Sequence, residues 1–287
     1  MTDDPFVAHR SLLFTVAYEM LGVAADADDV VQETWLRWVD VDQAEVRDPR
    51  AYLVRIVTRQ ALNRLRSLSR RREDYVGEWL PEPVLTSPDA AEDAELAENV
   101  SIAMLTVLET LGPVERAVFV LREVFDAPYE EIAEAVGKTS AAVRQTAHRA
   151  REHVRARRPR MQVDVVEQQA AVDRFMAAVA TGDLRSLMGV LAPDVLVVAD
   201  GGGLAPAARR PIMGADRVAA YLARAARLPG FAASTIWLNG LPAVRIEAGG
   251  GTVAVSLAVA AGRITCIYAI ANPLKLSRLG ATSEFRR

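Results

Sequence analysis

The hydrophobic pattern of this chain changes period once, near residue 163, and that single change excludes any uniform architecture. Before it, apolar residues recur at helical spacing. Leu12, Leu13, Val16, Ala17 and Met20 share one face, and Gly22 is placed to stop that helix. A second helix is predicted to open near Asp26 and to run through Val30, Val31, Thr34, Trp35 and Trp38. A third follows Pro49 and continues to Arg70-Arg71-Arg72. Gly77, Pro81, Pro83 and Pro88 among many acids mark residues 77–92 as a linker. Helical spacing returns from about 93 to 157, broken at Gly112-Pro113 and at Asp126-Ala127-Pro128, and Pro159 ends it. After 163 one amphipathic helix carries Val172, Phe175, Met176 and Val179. The strand-like run Val195-Leu196-Val197-Val198 then enters Asp200-Gly201-Gly202-Gly203, and a further helix spans roughly 214–227. Asn239-Gly240, set between two β-type runs, predicts a hairpin, and Gly249-Gly250-Gly251 and Ala261-Gly262 mark two more turns. The expected class is multidomain: all-α domains first, then an α+β domain built from a helix and a meander.

A net charge of −3 over 287 residues looks wrong for a nucleic-acid binder until it is mapped. Residues 47–72 carry nine arginines against Asp48 alone, and residues 138–160 carry seven arginines and Lys138 against Glu152. Residues 73–98 between them hold nine acids and no base. Two basic blocks around an acidic spacer suggest two phosphate-facing surfaces, although two solvated helix faces would give the same count. The single cysteine, Cys266, excludes an internal disulfide and a cysteine-rich zinc site. No run approaches the ~20 apolar residues of a membrane span. Met1-Thr2-Asp3-Asp4-Pro5 lacks the order of a secretory signal, so a cytoplasmic location is expected, with no metal and no cofactor.

Residues 129–155 carry the sharpest local signal. Tyr129–Val136 forms a short helix, Gly137-Lys138 a tight turn, and Thr139 or Ser140 can cap the next helix. In that helix Val143, Ala147, Ala150 and Val154 form one apolar stripe, with Arg144, His148, Arg151 and Arg155 opposite and Gln145 and Arg149 beside them. A helix buried on one side and lined with Arg, Gln and His on the other suits the recognition helix of a helix-turn-helix in the major groove. Arginine and glutamine can contact base edges in pairs, and the later arginines would meet phosphates.

The residues around this helix resemble a known family. Leu108 to Arg116, Phe119 to Arg122, Tyr129-Glu130-Glu131-Ile132-Ala133 and His148-Arg149-Ala150-Arg151 together look like region 4 of extracytoplasmic-function (ECF) sigma factors. The resemblance implies that Ser140, Arg144, Gln145, His148, Arg149 and Arg151 read the minus-thirty-five promoter element. Thr146 stands where many relatives carry an arginine. Asp26-Ala27-Asp28-Asp29-Val30-Val31-Gln32-Glu33-Thr34-Trp35-Leu36 is similar to region 2.2, which docks on the clamp coiled coil of RNA polymerase. That makes Asp26, Asp29, Gln32, Glu33 and Trp35 the expected polymerase contacts. Asp48 to Leu53 and Ala61 to Arg64 resemble regions 2.3 and 2.4, so Arg55, Arg59, Asn63, Arg64 and Arg66 are expected at the minus-ten element. The implied partners are core RNA polymerase, through the beta-prime clamp and beta flap, and promoter DNA, with no membrane. Weak overall charge fits a subunit that is selective only inside the polymerase, because a strongly basic chain would hold any DNA by counterion release. The acids of 73–98 are expected to suppress free binding; neutralising them without gaining DNA affinity would remove that idea.

Region 4 ends such chains near residue 158, yet a further domain comes after it. Its pattern looks like the SnoaL-like cone-shaped α+β fold, and three motifs resemble the ECF subgroup that carries it. Trp79-Leu80-Pro81-Glu82-Pro83 matches the linker motif. Asp200-Gly201-Gly202-Gly203 matches the glycine motif, except that Leu204 replaces a lysine. Asn272-Pro273-Leu274-Lys275-Leu276 matches the C-terminal motif, except that Leu274 replaces an acid. The resemblance implies that this domain modulates the sigma domains in cis, through Trp79, Pro81, Pro83, Asp200, Gly201, Gly202, Asn272 and Pro273. The expected domains are region 2 over 1–75, an acidic proline-containing linker over 76–95, region 4 over 96–158 and the SnoaL-like domain over 163–287. Relatives of the fold include enzymes that pair an Asp with a His, but residues 161–287 contain no histidine, so catalysis is not expected. An unknown small molecule in the cone's cavity is the remaining expected ligand.

Overall fold

A computed structural model of the chain describes residues 4–72, 75–88, 94–157, 164–280 and 282–286, without the side chains of 69–72. The side chains of Arg70 to Arg72, the acids Glu73, Asp74, Asp89, Glu92 and Asp93, and Pro159 therefore lie outside the described residues. Contacts divide the chain into two compact units. The first joins residues 1–74, 105–157 and 284–287, and the second joins residues 75–104 and 158–283. This division differs from the boundaries expected from the sequence, because residues 75–104 cluster with the C-terminal sheet and residues 284–286 with the N-terminal helices.

The first unit is helical. Helix α1 spans Pro5–Leu21, α2 Ala24–Val39 and α3 Pro49–Arg72. Proline opens both α1 and α3 because the first turn needs no backbone donor, and Gly22 closes α1 at φ 67°. Leu13, Val16, Tyr18, Trp38, Leu53 and Val57 are among the buried residues of these three helices. Helices α4 (Ala94–Val100) and α5 (Ile102–Leu108) come next, and the division between units falls inside α5. Helix α6 (Pro113–Phe119) runs into a π-helical turn at Val120–Val124, then come α7 (Tyr129–Val136) and α8 (Ser140–Arg157). Arg116 on α6 is buried, donating from Nε to the Glu19 carbonyl of α1 at 2.8 Å and pairing with Glu109. Near the chain's end, Phe285 stacks on Phe14 and Tyr18, with ring centroids 6.0 and 5.5 Å away, and the Arg286 amide donates to Thr15 Oγ1 at 3.0 Å.

The second unit holds helices α9 (Val165–Thr181), α10 (Leu184–Val190) and α11 (Ala215–Ala225), the short α12 (Pro273–Leu276) and a six-stranded sheet. Its strands are β1 Leu191–Asp200, β2 Ile212–Met213, β3 Ala232–Leu238, β4 Leu241–Ala248, β5 Gly251–Ala260 and β6 Arg263–Ile270. The order is β2-β1-β6-β5-β4-β3, antiparallel except for the β1–β6 pair. Strand alternation sends Val195 and Val197 to one face with Phe175, Leu187 and Val218, and Leu196 and Val198 to the other. That second face is not left to water: Leu80, Ile102, Ala103 and Leu279 pack on it against Leu238 and Tyr268 of the strands. The segment read from its prolines as a linker is thus part of a core. Asn239 and Gly240 close the β3–β4 hairpin at φ 54° and 75°, as that dipeptide requires. Asn239 also accepts the Val84 amide at 3.0 Å and donates to the Val100 carbonyl at 2.8 Å, fastening both ends of the covering segment.

Candidate nucleic-acid interface

The helix-turn-helix is built as its local sequence requires. Gly137 turns the chain at φ 69°, and Thr139 Oγ1 accepts the Ala142 amide at 3.2 Å, so Thr139 rather than Ser140 supplies the cap. Val143, Ala147, Ala150 and Val154 are buried. Arg144, Gln145, His148, Arg149 and Arg151 are exposed on α8, and Ser140 is half-buried at its start. Two of these side chains reach back to acids. Arg144 pairs with Glu130 at 3.1 Å and lies 5.5 Å from the Tyr129 ring. Arg151 grips Glu123 with two hydrogen bonds of 3.1 and 2.7 Å, which hold its guanidinium well above the usual range.

On α3, Arg55 donates to Glu134 Oε2 at 3.0 Å and lies 5.1 Å from the Tyr52 ring. Arg59 donates to the Glu134 carbonyl at 2.7 Å. Two residues expected at the minus-ten element are therefore held by α7 of the helix-turn-helix. Their side borders a hollow of about 490 Å³ lined by Asp42, Arg47, Tyr52, Arg55, Glu131 and Glu134, among others. Arg64 turns to α2 instead, bonding Asp26 at 2.8 Å through Nε and Asp29 at 2.9 Å through Nη2. Gln60 donates to Glu33 at 2.9 Å. Asn63 and Arg66 are exposed, as is Gln32, and Trp35 is half-buried with its ring 4.9 Å from Phe6. The structure thus joins expected DNA residues to expected polymerase residues, a link that no local motif signals.

The second unit concentrates its motifs on one carboxylate. Asp200, fully buried at the end of β1, accepts the Tyr75 hydroxyl at 2.6 Å and the Leu80 amide at 2.9 Å, and pairs with Lys275 at 2.6 Å. Lys275 also donates to the Leu80 carbonyl, and its ammonium sits 4.0 Å from the Trp79 ring centroid and 5.0 Å from that of Tyr75. Asn272 caps α12 through Leu274 and donates to the Tyr75 hydroxyl at 2.8 Å. Pro81 and Pro83 are buried, while Pro273 starts α12 at the surface. The glycines answer a steric demand: a Cβ on Gly201 would strike the Ala205 carbonyl, and one on Gly202 would strike Asn272 and Tyr75. Burial and the bond to Asp200 push the Tyr75 phenol up. Lys275 and Tyr75 were not among the expected site residues; a lysine set between two leucines in the C-terminal motif was the available signal. Leu204 and Leu274, the two departures from the motifs, are 60% and 72% exposed and stand outside the network.

Among the described residues no helix is long and apolar enough to cross a membrane, and no group of three or more His, Cys, Asp or Glu is placed to hold a metal. Comparison with known proteins identifies the helical regions and matches nearly the whole chain. Residues 6–71 match the family model for Sigma-70 region 2, and residues 101–154 match that for Sigma-70 region 4. The chain is 38% identical to the ECF RNA polymerase sigma factor SigJ of Mycobacterium tuberculosis H37Rv, over 95% of this chain and 92% of that one. It is 33% identical to the probable ECF RNA polymerase sigma factor SigI of the same species, over 96% and 94%. The crystal structure of M. tuberculosis SigJ superposes with a TM-score of 0.77 at 34% identity, covering 96% of this chain and 99% of that one.

Proposed function

This chain belongs to the ECF RNA polymerase sigma factors, and we propose that its last domain governs promoter-specific initiation by holding the connector between its two DNA-binding regions. The observation that carries this is the Asp200 network. Tyr75, Trp79 and Leu80, which come directly after α3, are bound through Asp200 and Lys275 to the C-terminal sheet domain. From the end of α3 at Arg72 to the start of α4 at Ala94 the connector has 21 residues (73 to 93), a reach of ~70 Å when extended. With residues 75–88 docked on the sheet domain, that full length is not available to let regions 2 and 4 separate along DNA. Docking therefore restrains initiation, and release of the connector raises it.

In this reading α8 reads the minus-thirty-five element with Ser140, Arg144, Gln145, His148, Arg149 and Arg151. Gln145, His148 and Arg149 need no rearrangement, whereas Arg144 and Arg151 exchange Glu130 and Glu123 for DNA. Helix α3 serves the minus-ten element through Asn63, Arg64 and Arg66, joined by Arg55 and Arg59 once Glu134 withdraws. Asp26, Asp29, Gln32, Glu33 and Trp35 face the beta-prime clamp, region 4 meets the beta flap, and the work is done in the cytoplasm. The last domain acts without chemistry of its own, since Asp200 is committed to Lys275 and Tyr75 and has no histidine partner within 161–287. A small-molecule ligand would have the hollow of about 470 Å³ at Met188, Met213, Asp216, Arg217 and Arg263, but restraint through the connector does not need one. The test is run-off transcription with core polymerase and the full chain on a genomic promoter library. Specific start sites whose upstream preference relaxes in Gln145→Ala support the reading, and no specific initiation refutes it.

A further inference from the structure

Arg64 stands where two expected surfaces meet. On α3, Arg59, Asn63 and Arg66 recur at i, i+4 and i+7 and form one face, while Gln60 and Arg64, four apart, form the neighbouring one. That neighbouring face is turned to α2. Arg64 Nη2 lies 2.6 Å from Asp26 Oδ1 and 2.9 Å from Asp29 Oδ2, and Gln60 holds Glu33 at 2.9 Å. The two ion pairs are not equal. The Asp26 side chain is 16% exposed and the Asp29 side chain 62%, so the first pair is sheltered and the second stands at the solvent edge. The hydrogen bond that Arg64 donates to Asp26 raises the guanidinium's affinity for its proton against the opposing effect of burial.

Resting on the sigma-factor reading, we propose that Arg64 is an exchange residue that couples polymerase docking to DNA holding. In the free chain it occupies Asp29, one of the acids that polymerase would need. A basic group arriving from polymerase takes Asp29, leaving Arg64 tied only to Asp26. One N–H of Nη2 is then released beside the Arg59, Asn63 and Arg66 face while Asp26 keeps Nε and the other side of Nη2, and the freed N–H meets a DNA phosphate. No charge is stranded at any step, because each cation that leaves a carboxylate gains another anion. The exchange costs little because exposed ion pairs are individually weak. Free chain thus binds DNA less well than holoenzyme does.

The experiment uses the full chain, core polymerase and a forked DNA of mixed sequence, since phosphate contacts do not depend on sequence. Arg64→Met is expected to bind core about threefold more tightly, the factor an exposed ion pair is worth. Its holoenzyme should lose about one from the salt slope of fork binding, and Arg64→Lys should restore the slope. Asp29→Asn, which frees Arg64 without removing it, should raise fork affinity of the polymerase-free chain about twofold to threefold. Unchanged or weaker core binding by a folded Arg64→Met overturns the proposal and marks Arg64 as a structural brace. If Arg64→Met does not fold, Asp29→Asn decides alone, and no gain in fork affinity overturns it. Failure of the wild-type chain to bind core would instead remove the sigma reading, and the proposal with it.

Discussion

The two units hold their site cations in opposite ways. In the first, Arg55, Arg64, Arg144 and Arg151 pair with acids at or near the surface, where water competes for both partners. In the second, Lys275 meets Asp200 in the interior, flanked by two aromatic rings and a backbone carbonyl. Surface pairs contribute little and exchange readily, whereas breaking one side of a buried pair leaves an uncompensated charge. In the proposed reading, the difference separates a surface that trades partners from a clasp that stays closed until its segment leaves as a whole.

The largest effect should come from the clasp. Asp200→Ala leaves the Lys275 ammonium buried without its carboxylate and should cost the second unit about 3–5 kcal/mol, read by denaturant unfolding with hydrogen exchange over residues 75–88. An unchanged midpoint would show that the pair is not a clasp. Phe285→Ala removes a ring stacked on Phe14 and Tyr18 and should lower the stability of the first unit by roughly 2–3 kcal/mol. A loss confined to the second unit would place residues 284–286 there instead. A smaller effect is expected with pH. The fold favours the neutral forms of Tyr75, raised above its ordinary 10.0, and of Cys266, pushed by burial from 9.0 up to about 11. Stability from both is fully present below pH 9 and is lost as pH rises through 9 to 11 and above. Thermal melts of the second unit should therefore be flat from neutrality to pH 9 and fall beyond it, and Tyr75→Phe should remove part of that fall. The smallest change in stability is expected for Arg151→Ala, at most about 1 kcal/mol because its pair with Glu123 is solvated. Its DNA affinity should still drop, with a salt slope smaller by about one.

What the sequence showed and what it hid divide along the same line. The helix-turn-helix was legible because Thr139, Gly137 and the Val143 to Val154 stripe all act within a few residues of one another. Asn239-Gly240 declared its hairpin for the same reason: two residues set two backbone angles. The second task of Asn239, holding Val84 and Val100, was not legible, because those partners are 155 and 139 residues away. Asp200 was picked out with its glycines, but its pairing with Lys275, 75 residues on, depends on the β1–β6 ladder that places α12 beside it. The prolines around Trp79 marked irregular backbone over the described residues 75–88. They could not show that Leu80 would become a buried member of the sheet's second face. Arg55 and Arg59 were expected at DNA from the resemblance to regions 2.3 and 2.4 and from their charge, and nothing local reveals that Glu134 on a distant helix meets both.

The most direct test is run-off transcription by core polymerase with the full chain, comparing wild type with Trp79→Ala, which removes the ring beside Lys275 while leaving the Asp200–Lys275 pair. Specific transcripts from both forms, more abundant with the variant, are the predicted result. Specific initiation that is unchanged or reduced when Trp79 is removed would contradict restraint through the docked connector.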